Sequence, residues 1–190
     1  NDIAYSRTVD GSGEWVIIYP PSPGAPNLAA TPTVTPTQAV YADGIVLNEF
    51  MPNPEADWNG DGITGDENDE YIELFNSNDF AVEVAGWQID DIAGGSSPYT
   101  IPAGYVMRPH NHLIFWRRDT GIGLNNSGGD SVRLLDPNGA ERDVATYTGS
   151  PGNDIAYSRT VDGSGEWVIT YPPSPGNTNL PATPRATPTL

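Results

Sequence analysis

One stretch of this chain occurs twice, and that duplication limits its architecture more than any other feature. Residues 1–24, NDIAYSRTVDGSGEWVIIYPPSPG, and 153–176, NDIAYSRTVDGSGEWVITYPPSPG, agree at 23 of 24 positions; only Ile18 against Thr170 differs. The offset is 152 residues, and the match fades over the next thirteen positions, where eight agree. A period of that size is a whole domain, so the chain reads as one full period plus a second copy of its tail. It starts at Asn1 in mid-motif, with no Met and no signal peptide, which leads us to expect a window cut from a longer tandem array.

Each copy alternates polar and apolar residues in two bursts, Ile3 to Val9 and Trp15–Tyr19 in the first, split by Asp10-Gly11-Ser12-Gly13. That pattern predicts two strands around a turn, ended by Pro20-Pro21-Ser22-Pro23-Gly24 because proline cannot continue a ladder. Residues 28–42, LAATPTVTPTQAVYA, read as a Thr/Pro linker. Proline density favours an extended spacer rising about 3.1 Å per residue. The expected organisation is therefore 1–27 as closing strands of a preceding identical module, 28–42 as linker, 43–179 as the body, and 180–190 as the start of the next linker.

Within the body, strands are expected at Ile45–Phe50, Tyr71–Phe75, Val82–Ile89, Tyr99–Ile101, Tyr105–Met107, Leu113–Trp116, Ser131–Leu135 and Arg142–Tyr147. Loops and turns separate them, including Gly128-Gly129-Asp130 and the hairpin signal Asp136-Pro137-Asn138-Gly139. Close strand spacing without a helical stripe predicts an all-β sandwich. The chain has no Cys, which removes disulfides, thiol nucleophiles and thiolate metal sites. Its 25 acidic and 8 basic residues give a net charge of −17, a surface that repels nucleic acid and attracts cations. All the basic residues are Arg, so lysine chemistry is also excluded within the segment. No apolar run reaches the length of a membrane span.

An ordered set of short motifs carries a family resemblance. They are Val46-Leu47-Asn48-Glu49-Phe50 with Pro52-Asn53-Pro54, Glu70-Tyr71-Ile72-Glu73-Leu74-Phe75-Asn76, Gly86-Trp87-Gln88-Ile89-Asp90, and Ile101-Pro102-Ala103-Gly104. Ser127-Gly128-Gly129-Asp130-Ser131-Val132, Asp136-Pro137-Asn138-Gly139, Arg159-Thr160-Val161-Asp162-Gly163 and Ser174-Pro175-Gly176 with Asn179 complete it. In that order they resemble the lamin-tail domain, most closely its bacterial secreted and cell-surface type. The resemblance implies an immunoglobulin-like β-sandwich used as a building or binding unit, with no catalytic residues.

The stretch Asp57-Trp58-Asn59-Gly60-Asp61-Gly62-Ile63-Thr64-Gly65-Asp66-Glu67-Asn68-Asp69-Glu70 places six carboxylates within fourteen residues. Asp57, Asn59 and Asp61 at positions 1, 3 and 5, with Gly62 at 6, match the front of a calcium loop, and the Ile63 carbonyl would serve position 7. Asn68 stands where a bidentate carboxylate is usual, so Asp66, Asp69 or Glu70 must compensate. Hard oxygen donors favour Ca²⁺ over zinc or copper. No helical pattern flanks the loop.

Other candidates have structural readings. His110-Asn111-His112 lies at a turn, and Glu49 with Glu73 and Asp90-Asp91 fall inside strand motifs where hydrogen bonding or a second ion explains them. Trp58, Trp87, Trp116 and Trp167 are spaced as core and loop anchors, with Trp15 and Trp167 equivalent. The surplus N-terminal tail carries Ile3, Tyr5, Val9, Trp15, Ile17 and Tyr19, an apolar set that needs a partner sheet. The expected function is a non-enzymatic repeat module of a secreted or cell-surface array, forming a calcium-stabilised filament by contacts between neighbouring copies. The competing expectation is a glycan- or protein-binding accessory module of a secreted hydrolase.

Overall fold

The computed structural model describes residues 4–9, 11–18, 21, 23–24 and 40–179. They belong to two compact units, 1–38 and 39–190. Most of the expected linker 28–42, and all of 180–190, lie outside the described residues.

The first unit is a hairpin of β1 (Ala4–Val9) and β2 (Ser12–Ile18), paired antiparallel with Tyr5 opposite Ile17 and Arg7 opposite Trp15.

The second unit is an immunoglobulin-like β-sandwich. Its strands are β3 (Ile45–Met51), β4 (Tyr71–Asn76), β5 (Val82–Glu83), β6 (Gln88–Asp90), β7 (Tyr99–Thr100), β8 (Val106–Met107) and β9 (His112–Trp116). After them come β10 (Ser127–Leu135), β11 (Glu141–Gly149), β12 (Ala156–Val161) and β13 (Ser164–Thr170). One sheet runs β13-β12-β3-β4-β9, the other β11-β10-β6-β7, and β5 pairs with β8 separately; every pairing is antiparallel. Leu47, Phe50, Ile72, Leu74 and Phe115 meet Ile89, Val132, Leu134, Ala145 and Tyr147 in one buried core. Each such side chain contributes about 1.5–3 kcal/mol by leaving water.

The expected strand Val82–Ile89 is instead two short strands in different sheets. Gly86, at φ +80°, turns the chain between them, and its amide bonds Ile101 rather than a strand neighbour. The expected turn at Gly128-Gly129-Asp130 lies within β10 as a bulge, where the register jumps between Ser127 and Asp130. A single helical turn, Arg117–Thr120, closed by Gly121 in the left-handed conformation, was not expected; four residues are too few for a periodic signal. Tyr41 and Ala42 belong to the body rather than the linker, because both pack on the core and Tyr41 meets the Trp87 ring edge-on at 6.2 Å.

The five-stranded sheet is covered on both faces. β4 is buried at every position, including Glu73 and Asn76. Its inner face packs in the sandwich, while Tyr71 and Met51 form a second cluster with Ala156 on the outer face, edged by Trp58, Ile114 and Trp116. The segment after β13 lies over that outer face, as its hydrogen bonds below establish. Gly163, in the β12–β13 turn, has φ +74°, and a Cβ there would stand 2.7 Å from the Phe75 ring. Only glycine lets this turn close against β4.

Candidate functional site

The acidic loop links β3 to β4. Its aspartates close it on itself: Asp57 Oδ1 accepts from the Gly60 and Asp61 amides, and Oδ2 from the Gly62 amide at 2.8 Å. Asn59 Oδ1 accepts from the Asp61 amide, and Asp61 Oδ1 from the Ile63 amide, while the Ile63 side chain is exposed. Arg118 approaches the same two residues, 3.1 Å from Asn59 Oδ1 and 3.8 Å from Asp61 Oδ2.

The three residues expected to complete the loop differ sharply. Asp66 turns away to cap the one-turn helix Glu67–Asp69, accepting from the Asn68 amide and side chain, and these bonds hold its carboxyl below the usual range. Glu70 is buried and committed on both oxygens, to Arg117 Nη1 at 2.7 Å and to the Leu124 amide at 2.7 Å. Burial pushes its carboxyl up to about 7 even so. Asp69 is fully buried, and its Oδ1 accepts from the Trp58 and Asn59 amides. Its Oδ2 is buried without a hydrogen-bond partner. Burial raises its carboxyl above the usual range; the two amides oppose this, and the charges of Asp57 and Asp61 add to it. Among the described residues, no three acidic or histidine side chains already converge as a metal cage.

A second cluster ties the segment after β13 to the sheet. Glu49 receives hydrogen bonds from Tyr71, from Ser158 at 2.5 Å, and from both the amide and hydroxyl of Ser174 at 2.8 Å. Glu73 receives the Asn48 side chain at 2.8 Å and the Gly176 amide at 2.6 Å. Burial drives the Glu73 carboxyl up to about 8, against both of those hydrogen bonds. Asp162 accepts from the Asn179 amide, and Asn179 in turn donates to the Arg159 carbonyl. Burial would raise Asp162, but the Asn179 amide, Asn48 and His112 hold it below the usual range. Further back, Asp154 Oδ1 takes the Glu55 and Ala56 amides and the Trp58 indole. Burial there is likewise outweighed by these donors, and the carboxyl stays low. Residues 153–179 therefore hold both the outer face and the base of the acidic loop.

Glu49 and Glu73 take the hydrogen-bonding role expected of them in the strand motifs. Both are buried and consumed in hydrogen bonding, and neither lines the cleft at Glu70 and Arg117 or the one at Asp154. Asp90 pairs with Arg133, and Asp91 caps the Ser96 amide. His110 sits in a turn at φ 50°, bonded to Asp79. His112 begins β9, packs on Phe75, and stands 3.4 Å from Asp162. A polar cleft of about 480 Å³ is lined by Glu67, Glu70, Asp91, Ser96, Arg117 and Asn125 among others, with no aromatic ring to stack on a sugar.

The two hairpins have the same internal geometry. Both show the register jump after the Arg, at Arg7 and at Arg159. Arg7 covers Trp15 at 4.9 Å and donates to the Gly13 carbonyl; Arg159 covers Trp167 at 4.6 Å and donates to the Gly165 carbonyl. Their surroundings differ. Tyr157 stacks on Phe50 at 5.1 Å and Trp167 meets it edge-on at 5.4 Å, whereas Tyr5 is 72% and Trp15 64% exposed. On the other face of β1–β2, Ser6 is buried and Ala4 and Val16 are half-buried. Ile17 does not distinguish the two copies: it is 58% exposed, and its docked counterpart Ile169 is still 54% exposed. Ile3, Tyr19 and the side chain of Val9 lie outside the described residues.

No curated protein matches the chain. The family model of the Lamin Tail Domain matches residues 38–149, over half of the chain. The match spans β3 to β11 and stops short of β12–β13. The family is a structural immunoglobulin-like domain, not a catalytic one, and sheet order, core and match agree: the chain belongs to the lamin tail domain family.

Proposed function

We propose that this chain is a non-catalytic structural module of an extracellular or cell-surface array, in which the hairpin of one copy closes the sandwich of another. The observation that carries this reading is the pair of hairpins. β1–β2 repeats the sequence, register and Arg–Trp clamp of β12–β13, yet exposes Tyr5 and Trp15, whose counterparts pack on Phe50. An apolar strand pair whose near-identical twin docks on a sheet edge is suited to strand addition. Its acceptor is the edge of β3, where Tyr157 now sits opposite Phe50 and Ser158 opposite Glu49. Head-to-tail donation of this kind propagates without closing.

Deleting 153–190 tests it. The remaining chain keeps β1–β2 and a sandwich without its own hairpin. We expect it to fold by docking β1–β2, either onto its own body or along a polymer, and to lose that fold on Trp15→Ala. Full-length chain should tolerate Trp15→Ala. Circular dichroism and sedimentation read both; a deleted chain that stays unfolded with Trp15 intact overturns the reading.

A further inference from the structure

We propose that the loop between β3 and β4 is a calcium site, with oxygens of Asp57, Asn59, Asp61, Asp69 and the Ile63 carbonyl as donors. The spacing of the first three residues is one observation, and on its own it describes only an acidic loop. The second is Asp69. It is fully buried, its Oδ1 is fixed by the Trp58 and Asn59 amides at positions 2 and 3 of the loop, and its Oδ2 has no partner. A buried carboxylate oxygen left without a donor is costly, by the full desolvation of that atom. The Trp58 and Asn59 amides hold Oδ1 against the loop backbone, beside Asp57 and Asn59 and close enough for the charges of Asp57 and Asp61 to be felt.

Three nearby negative charges, one of them buried, need a positive partner. Arg117 is already engaged with Glu67 and Glu70. Arg118 leans over Asn59 and Asp61 from a half-exposed position, and no ion pair to Asp57 or Asp69 is found among the described residues. The loop therefore attracts positive charge at its rim and lacks it at Asp69. Asp57 Oδ2 and Asp61 Oδ1 each accept a single N–H and keep a further lone pair for an ion. Asn59 Oδ1 already accepts from the Asp61 amide and Arg118, and joins the donor set only as the ion displaces Arg118. An all-oxygen donor set including carbonyls suits Ca²⁺ and is a poor match for zinc or copper. The structure also separates the three residues that could replace the missing position-12 carboxylate. Asp66 caps a helical turn and Glu70 is spent on Arg117 and Leu124, which leaves Asp69.

The test uses the full-length chain and terbium, which Trp58 within the loop is placed to sensitise, followed by displacement with calcium and by calorimetry with CaCl₂. We expect one site with a dissociation constant of about 10⁻⁴–10⁻³ M and a higher melting temperature in calcium than in EDTA. Asp69→Asn keeps an oxygen for the two amides and should weaken binding at least about tenfold, and Asp57→Asn should do the same. Asp66→Asn should change it by less than about twofold. Three results would overturn the site. One is no terbium signal and no heat up to about 10 mM calcium. Another is equal weakening by Asp66→Asn and Asp69→Asn, which marks a diffuse acidic patch. The last is a melting shift reproduced by NaCl at matched ionic strength, which marks screening of the net charge. None of these results bears on whether β1–β2 closes a neighbouring sandwich.

Discussion

Two hairpins of almost one sequence occupy two environments here, and their comparison separates what a local sequence dictates from what its surroundings add. In both, glycines at positive φ close the turn, at Gly11 and Gly13 and again at Gly163 and Gly165. In both, an arginine lies over a tryptophan across the strand pair. Strand, turn and clamp are therefore local properties. Burial is not. Among the described residues only β12–β13 places its Tyr and Trp against Phe50, and its adjoining segment delivers Ser174, Gly176 and Asn179 to Glu49, Glu73 and Asp162.

The largest expected difference lies in the tryptophans. Trp167→Ala removes a half-buried ring from the Phe50 cluster and should cost about 2–3 kcal/mol, below the range for a fully buried aromatic. Trp15→Ala, at an exposed position, should stay within about 0.5 kcal/mol. Urea unfolding of the full-length chain measures both. Equal losses would mean that the two hairpins are covered to the same degree, and the comparison would fail.

The degree to which the sequence reveals this molecule follows the same division. Alternation, glycine turns and the ordered motifs locate the sandwich, its edge hairpin and the acidic loop, because each is a short-range pattern. The double coverage of β4 has no such pattern. Tyr71–Phe75 reads simply as a strand, yet Glu73 at its centre is buried and bonded by the Gly176 amide, about a hundred residues away in sequence. The clamp of Asp154 on Glu55, Ala56 and Trp58 is equally distant. Motif counting also treats Asp66, Asp69 and Glu70 as interchangeable. Their hydrogen bonds, to Asn68 for Asp66, to the Trp58 and Asn59 amides for Asp69, and to Arg117 and Leu124 for Glu70, make them three different groups. The split of Val82–Ile89 shows a converse failure: apolar content suggests continuity, while Gly86 sends the chain from one sheet to another.

The buried carboxylates give the docked copy a pH signature. Folding lifts Glu73 from 4.5 to about 8, and Glu70 from 4.5 to about 7, chiefly by burial. An acid with a raised folded pKa binds its proton more tightly in the native state. Its stabilisation is complete below the unfolded value and disappears as pH rises through the folded one. Stability should therefore fall as pH rises from about 4.5 to about 8. Asp154 and Asp162, both held low, set the opposite limit, with stability lost below about pH 4. Melting curves across this range check the slope, and Glu73→Gln should flatten its upper part. The chain lacking 153–190 sharpens the comparison. If β1–β2 and the residues after it dock in place of the lost copy, the same slope must return up to about pH 8. A folded product whose slope ends near pH 7, as Glu70 alone gives, would show that Glu73 is no longer covered.

The smallest effect concerns the single position where the copies differ. Thr170 is fully buried, and its hydroxyl has no hydrogen-bond partner. An unsatisfied buried hydroxyl costs about 1–3 kcal/mol relative to an apolar group of the same shape. Thr170→Val keeps the branched shape and removes the orphan oxygen, so it should stabilise the full-length chain by about 1 kcal/mol in urea unfolding. The sequence places Ile18 at the matching position of the other copy. Thr170→Ile tests whether one body accepts both tails: it also removes the hydroxyl but adds a methylene group to a closed site. If the sandwich takes that extra volume, Thr170→Ile matches or exceeds Thr170→Val, and β1–β2 can seat on this body without rearrangement. If packing is tight, the isoleucine reverses the gain by about 1–3 kcal/mol. The acceptor for β1–β2 would then have to differ from this sandwich at the pocket that Thr170 now fills.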